Sequence, residues 1–293
     1  MRKSIIASSI LSLLAVGCAG GNGGAALPVA GATATASPSA ASSAYASAYR
    51  AAHWSSSATV SFPSSCTMTF TTSGVPPFHT DYYLAPVSTQ YPTVVATSPA
   101  SNTTMSLVPY LPSDISPQSV TVNVCPSKAA STTPTSPGPV GYTVAGEAIF
   151  DPYEANGAQT PAMSDNVSYS FTNGSASETA SFIDACNSHP TPTQAGYEWH
   201  HHGIPTCLVQ QIDGSSGPSH LIGFALDGFP IYGGRDINGN TIAVSQLDAC
   251  NGITSPTPEF PNGAYHYVLP IGVTGSRSSL NCFAGTPVAS AIP

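Results

Sequence analysis

The chain has 293 residues, of which only 7% are charged, with six Lys and Arg against fourteen Asp and Glu for a net charge of −8. Ordinary soluble domains carry about 25% charged residues, so this is the low-charge surface, filled by Ser, Thr, Pro, Gly and Ala, that suits an exported protein. The few cations make no basic face, which excludes nucleic acid as a partner.

Residues 1–18 read as a secretory signal: Arg2 and Lys3 precede an apolar run from Ile5 to Val16 that is too short to span a bilayer as a mature helix. Small residues then lead to Cys18, as in a lipobox, although Ala15 stands where Leu is commoner. Cleavage there leaves Cys18 as the lipid-attachment residue and the membrane as a partner. It also removes two cations and no acid, leaving four against fourteen. Residues 19–57 are so rich in Gly, Ala, Ser and Thr that they are expected to form a disordered tether to the cell envelope.

Residues 58–293 form the expected folded domain. Short Thr-rich runs around Val60, Phe62, Met68 and Phe70 begin a series of strand signals. The series continues through 94–95, 105–108, 120–124, 142–149 and 167–171. Twenty-eight prolines argue against many long helices. The expected class is all-β, or β-rich with few short helices: a β-sandwich-like fold stapled by disulfides. Residues 177–186 are the best helix candidate, with a loop as the alternative. The proline-rich stretch 126–139 is either a domain boundary or an exposed loop.

Seven cysteines are odd for an exported chain, and setting Cys18 aside leaves six. Cys66, Cys125, Cys186, Cys207, Cys250 and Cys282 admit fifteen connectivities, among which sequential pairing is the expectation adopted. Between Cys186 and Cys207 lie Trp199, His200, His201 and His202, three of the eight histidines in succession. An internal repeat surrounds them: Asp184, Ala185, Cys186 and Asn187 recur as Asp248, Ala249, Cys250 and Asn251. Each copy is followed by a glycine and then an aromatic beside a histidine, Trp199 with His200 and Tyr265 with His266. Two related half-sites are expected.

These features resemble bacterial YHYH-domain proteins. The resemblance rests on 73–76 with His79, 148–152, 200–205, 221–233 including the run from Asp227 to Tyr232, and 263–267, and it covers roughly 59–287. It implies export and assigns no reaction. The chain departs from the pattern in three places: Trp199 and His201 stand where tyrosines are expected, and Val268 where the last histidine of the second copy would be. A symmetric second half-site is therefore not expected.

If 199–202 is extended, His200 and His202 share one face while Trp199 and His201 take the other. Imidazole with carboxylate suits Zn or Cu, and His189, His266 and Asp227 are the best supplementary ligands. The leading expectation is an exported, lipid-anchored or secreted envelope protein that binds a transition metal or small polar ligand through these groups. Binding should weaken as pH falls through about 6.5. Two alternatives stand beside it: an extracellular metal-dependent hydrolase, or an inert structural surface module whose histidines merely pack. Three ligands beside a cleft would favour catalysis, and four convergent ligands would favour binding. No phosphate loop, dinucleotide fingerprint or nucleophile elbow is present. Asp227 beside Gly228 is equally readable as a turn residue.

Overall fold

In the run Thr67 to Thr72, buried Met68 and Phe70 alternate with outward Thr69 and Thr71, the period-two pattern that makes a half-buried strand. Most of the chain follows this logic. The computed structural model describes residues 39–154, 160–194 and 196–291; residues 1–38, with the signal, Cys18 and the first part of the expected tether, lie outside them.

The described chain opens with helix α1 (Ser39–Ala51), then strands β1 (Ala58–Ser64), β2 (Thr67–Thr72), β3 (Tyr82–Pro86), β4 (Ala96–Thr97), β5 (Thr104–Pro109) and β6 (Gln118–Asn123). Two three-stranded sheets result, β1-β2-β6 and β3-β5-β4. Next come β7 (Thr133–Pro134), β8 (Pro139–Thr143), β9 (Ala148–Phe150), the hairpin β10 (Ser168–Asn173) and β11 (Ala176–Ser181), β12 (Ser188–Thr193) and β13 (Gly196–His201). Helix α2 (Thr206–Asp213) precedes β14 (Leu221–Ala225), β15 (Pro230–Tyr232), β16 (Gly252–Ser255), β17 (Ala264–Val268) and β18 (Cys282–Phe283).

Eight strands form the central mixed sheet in the order β12-β13-β9-β8-β14-β15-β17-β16. Sheet β1-β2-β6 and helix α1 pack on it through one apolar core, in which Phe70 lies 5.1 Å from Phe224 and 5.2 Å from Tyr142. Sheet β3-β5-β4 packs at the β12-β13 end, with Tyr83 edge-on to Trp199 at 5.0 Å. The fold is β-rich and sandwich-like. Its disulfides pair sequentially: Cys66 with Cys125, Cys186 with Cys207, and Cys250 with Cys282.

Two local expectations are corrected. Within the segment read as tether, α1 is a helix whose Tyr45 and Tyr49, one turn apart, are buried. Their hydroxyls donate to the carbonyls of Tyr265 (3.1 Å) and Gly228 (2.9 Å). Two amphipathic tyrosines on one helical face supply the apolar area that the surrounding small residues lack. Residues 177–186 are not helical; Ala176–Ser181 pairs with Ser168–Asn173, and buried Ala180 and Phe182 are spaced for a strand rather than a helix. Around the stretch 126–139 there is no division: from Pro38 onward the chain is one compact unit.

Candidate metal centre

The approach to β12 is built by Asp184. Its carboxylate accepts from the amides of Cys186 (2.8 Å) and Ser188 (2.9 Å) and from the Ser188 hydroxyl (2.9 Å), an Asx turn that Asn187 completes at φ 62°. The Cys186–Cys207 bridge ties this turn to α2. β12 then pairs antiparallel with β13, and His189 falls opposite His200. Directly paired residues share a face, and His202, two residues beyond His200, returns to it.

His189, His200 and His202 therefore converge, with one ring nitrogen from each lying within 4.8 Å of the others. All three are almost wholly buried, none more than 3% exposed. Desolvation, with the neighbouring imidazoles adding to it, pushes His189 well below the ordinary histidine value; His200 is likewise well below it, and His202 falls to about 4. Neutral rings at pH 7 follow.

Their tautomers are set by backbone carbonyls, which can only accept. His200 donates Nδ1–H to the carbonyl of Glu198 (3.1 Å), and His202 donates its own to the carbonyl of Asp151. Each Nε2 is thus a bare lone pair, and the two stand 3.0 Å apart. Neither ring nitrogen of His189 has a hydrogen-bond partner among the described residues. Carbonyls that orient imidazoles from behind are the usual support of metal-ligating histidines. Nitrogens about 2.05 Å from a common ion and 3.0 Å apart subtend about 94°, and opening them to about 3.35 Å would make the angle tetrahedral.

The cluster forms one wall of a cavity of about 260 Å³, whose other walls include Phe150, Tyr153 and Glu154. Phe150 stacks on His200 at 3.8 Å. Glu154 Oε1 is buried with no hydrogen-bond partner among the described residues, and burial, then nearby Asp165, raises its carboxyl to about 8. Asp151, which follows the Phe150 end of β9, is raised to about 6 by burial. Neither acid was singled out from the sequence, because carboxylates gathered by folding have no spacing signature.

The remaining candidates lie elsewhere. His201 points away from the cluster: its Nε2 is 3.2 Å from Glu147 and its Nδ1 donates to the carbonyl of Asn187. Burial lowers its affinity for a proton, but Glu147, Asp184 and the Asn187 carbonyl together outweigh that and hold its pKa above the ordinary value. His266 belongs to β17, five strand positions from β13, or about 24 Å at ordinary strand spacing. It packs beside Tyr232 at 4.8 Å. Asp227 caps the β14–β15 turn, accepting from the Tyr267 hydroxyl (2.6 Å) and the amides of Gly285 (2.8 Å) and Phe229 (3.3 Å). Neither His266 nor Asp227 is brought to the three histidines, and Asp227 has the turn role. His220 pairs with buried Asp213 at 3.0 Å, and His79 stacks on Tyr110.

A family model described as YHYH protein matches residues 119–242 and 236–284, more than half of the chain. The chain belongs to the YHYH family. No curated protein and no solved structure matches it.

The YHYH region is duplicated in three dimensions. Read from either edge, the central sheet runs antiparallel, parallel, antiparallel to the β8–β14 junction. At that junction Gly141 and Gly223 occupy equivalent places, and a Cβ on either would strike a carbonyl of the opposing strand. Asn187 and Asn251 share a positive φ, 62° and 66°. His266 donates Nδ1–H to the carbonyl two residues back (3.0 Å), as His200 does. Opposite His266 stands Ile253 rather than a histidine, and Val268 takes the place of His202. At the equivalent positions the first half of the YHYH duplication thus holds His189, His200 and His202, and the second holds His266 alone.

Proposed function

We propose that this YHYH protein is an exported, lipid-anchored envelope protein that binds one transition-metal ion, zinc or copper, through His189, His200 and His202. One observation carries the metal reading: carbonyls hold two imidazoles so that their Nε2 lone pairs face each other at 3.0 Å, while a third buried imidazole has no hydrogen-bond partner among the described residues. Facing lone pairs repel, and buried polar nitrogens without partners cost free energy. A cation among them removes both penalties. An inert packing role offers no such compensation. Three disulfides in the described domain favour an oxidising compartment and so support export. Attachment through a lipid on Cys18 is the reading of the lipobox.

Calorimetric titration of untagged protein with Zn(II) and Cu(II) tests this. His189→Ala, His200→Ala and His202→Ala should each weaken binding by about 10-fold or more, while His266→Ala leaves it within about 2-fold. Because burial lowers the ligand pKa values, to about 4 for His202, affinity at pH 5.5 should stay within a few-fold of that at pH 7. Three exposed histidines with pKa near 6.5 would lose far more over that interval. Equal losses in all four variants, or no binding by the wild type, would overturn the reading.

A further inference from the structure

We infer that Glu154 is the general base for a water held on the metal at the three-histidine centre, and that the domain hydrolyses small, uncharged esters or amides. The inference rests on the metal-centre reading above. Among the described residues, the convergent ligand group contains three histidines and no carboxylate. Three protein ligands plus a water is the pattern of catalytic rather than structural zinc.

Glu154 lines the same cavity as His189, His200 and His202 but stands outside their ligand group. Its Oε1 is shielded from solvent and accepts no hydrogen bond from the described residues, and the residue is about nine-tenths buried. A carboxyl group with an uncommitted oxygen, in the same cavity but outside the ligand group, is favoured to ionise by a cation on the histidines and then accepts a proton from metal-bound water. The water oxygen forms the bond to a carbonyl carbon as its proton passes to Glu154. The carbon–oxygen or carbon–nitrogen bond to the leaving group then breaks, and the leaving group departs with that proton. The net change is addition of one water, with no redox partner.

The cavity walls indicate the substrate class. Among the described residues no Lys or Arg lines them; Pro86, Pro137, Pro192 and Phe150 supply apolar surface, and Thr103 and Thr191 supply hydroxyls. Anionic phosphoesters would find no guanidinium or ammonium to pair with. A volume of about 260 Å³ is below the roughly 300–1,000 Å³ of pockets for drug-sized ligands, which limits the acyl group to a few carbons.

The full chain, loaded with zinc, should hydrolyse p-nitrophenyl acetate faster than its metal-free form, with little action on p-nitrophenyl phosphate. Glu154→Gln should lower kcat by about 100-fold or more while its zinc affinity, measured by calorimetry, stays within about 3-fold of wild type. A 10-fold loss of zinc affinity in Glu154→Gln would make Glu154 a ligand and overturn the base assignment. So would unchanged kcat. Preference for the phosphate ester, or no zinc-dependent turnover by zinc-loaded protein, would overturn the hydrolytic inference while the metal centre stands. Absence of zinc binding would instead remove the metal centre and this inference with it.

Discussion

His200 and His266 hold equivalent strand positions and orient their rings by the same carbonyl hydrogen bond, yet their surroundings give them different chemistry. His200 faces two imidazoles and a cavity. His266 faces Tyr232, and burial lowers its pKa to about 4, against about 6.5 in an unfolded chain. The folded state then binds the proton less readily than the unfolded state. Its contribution is intact above about pH 6.5 and is lost as pH falls toward 4, a change of roughly 3 kcal/mol. Urea unfolding of wild type and His266→Gln from pH 7 to 4.5 should show the variant losing less stability on acidification. Parallel losses would contradict this account of His266. The expectation that it joined His200 in one site failed because a repeat in sequence establishes equivalence, not proximity: a pseudo-twofold puts equivalent residues in opposite halves of a sheet.

At the level of strands, the two half-sites differ in few residues. The β16–β17 register sets Ile253 opposite His266, as His189 stands opposite His200, and Val268 follows His266 as His202 follows His200. A double substitution, Ile253→His with Val268→His, should therefore raise metal stoichiometry from about one to about two per chain. Calorimetry reads this directly; an unchanged stoichiometry in folded protein would mean that the halves are alike in topology but not in side-chain geometry. The alternation around 199–202 was legible because strand side chains change face at every residue, whereas the sequence left fifteen cysteine connectivities open, and the sequential one adopted is the one the fold forms. Two elements escaped. In α1 the signal reduces to Tyr45 and Tyr49 among small residues, and in 177–186 a short apolar spacing suits either period until the hairpin partner is known.

Across the whole molecule, a chain with few charges builds its interior from β-sheets, aromatic contacts and three cross-links. By the chain-entropy relation, bridges spanning 59, 21 and 32 residues each stabilise the fold by about 3–4 kcal/mol. The β-rich, disulfide-stapled class followed from Thr-rich strand runs, abundant proline and the cysteine count. Glu154 did not follow from any of these, since only the folded sheet brings it to the histidine cavity. The outcome is a sheet that holds three buried imidazoles beside a cavity at one end. X-ray absorption on untagged, zinc-loaded protein tests that claim most directly. About one zinc per chain is expected, with three imidazole nitrogens at about 2.0–2.1 Å and this signature lost in a His189→Ala, His200→Ala, His202→Ala triple variant. A shell with one imidazole or none, or a zinc signature unchanged in the triple variant, would contradict it.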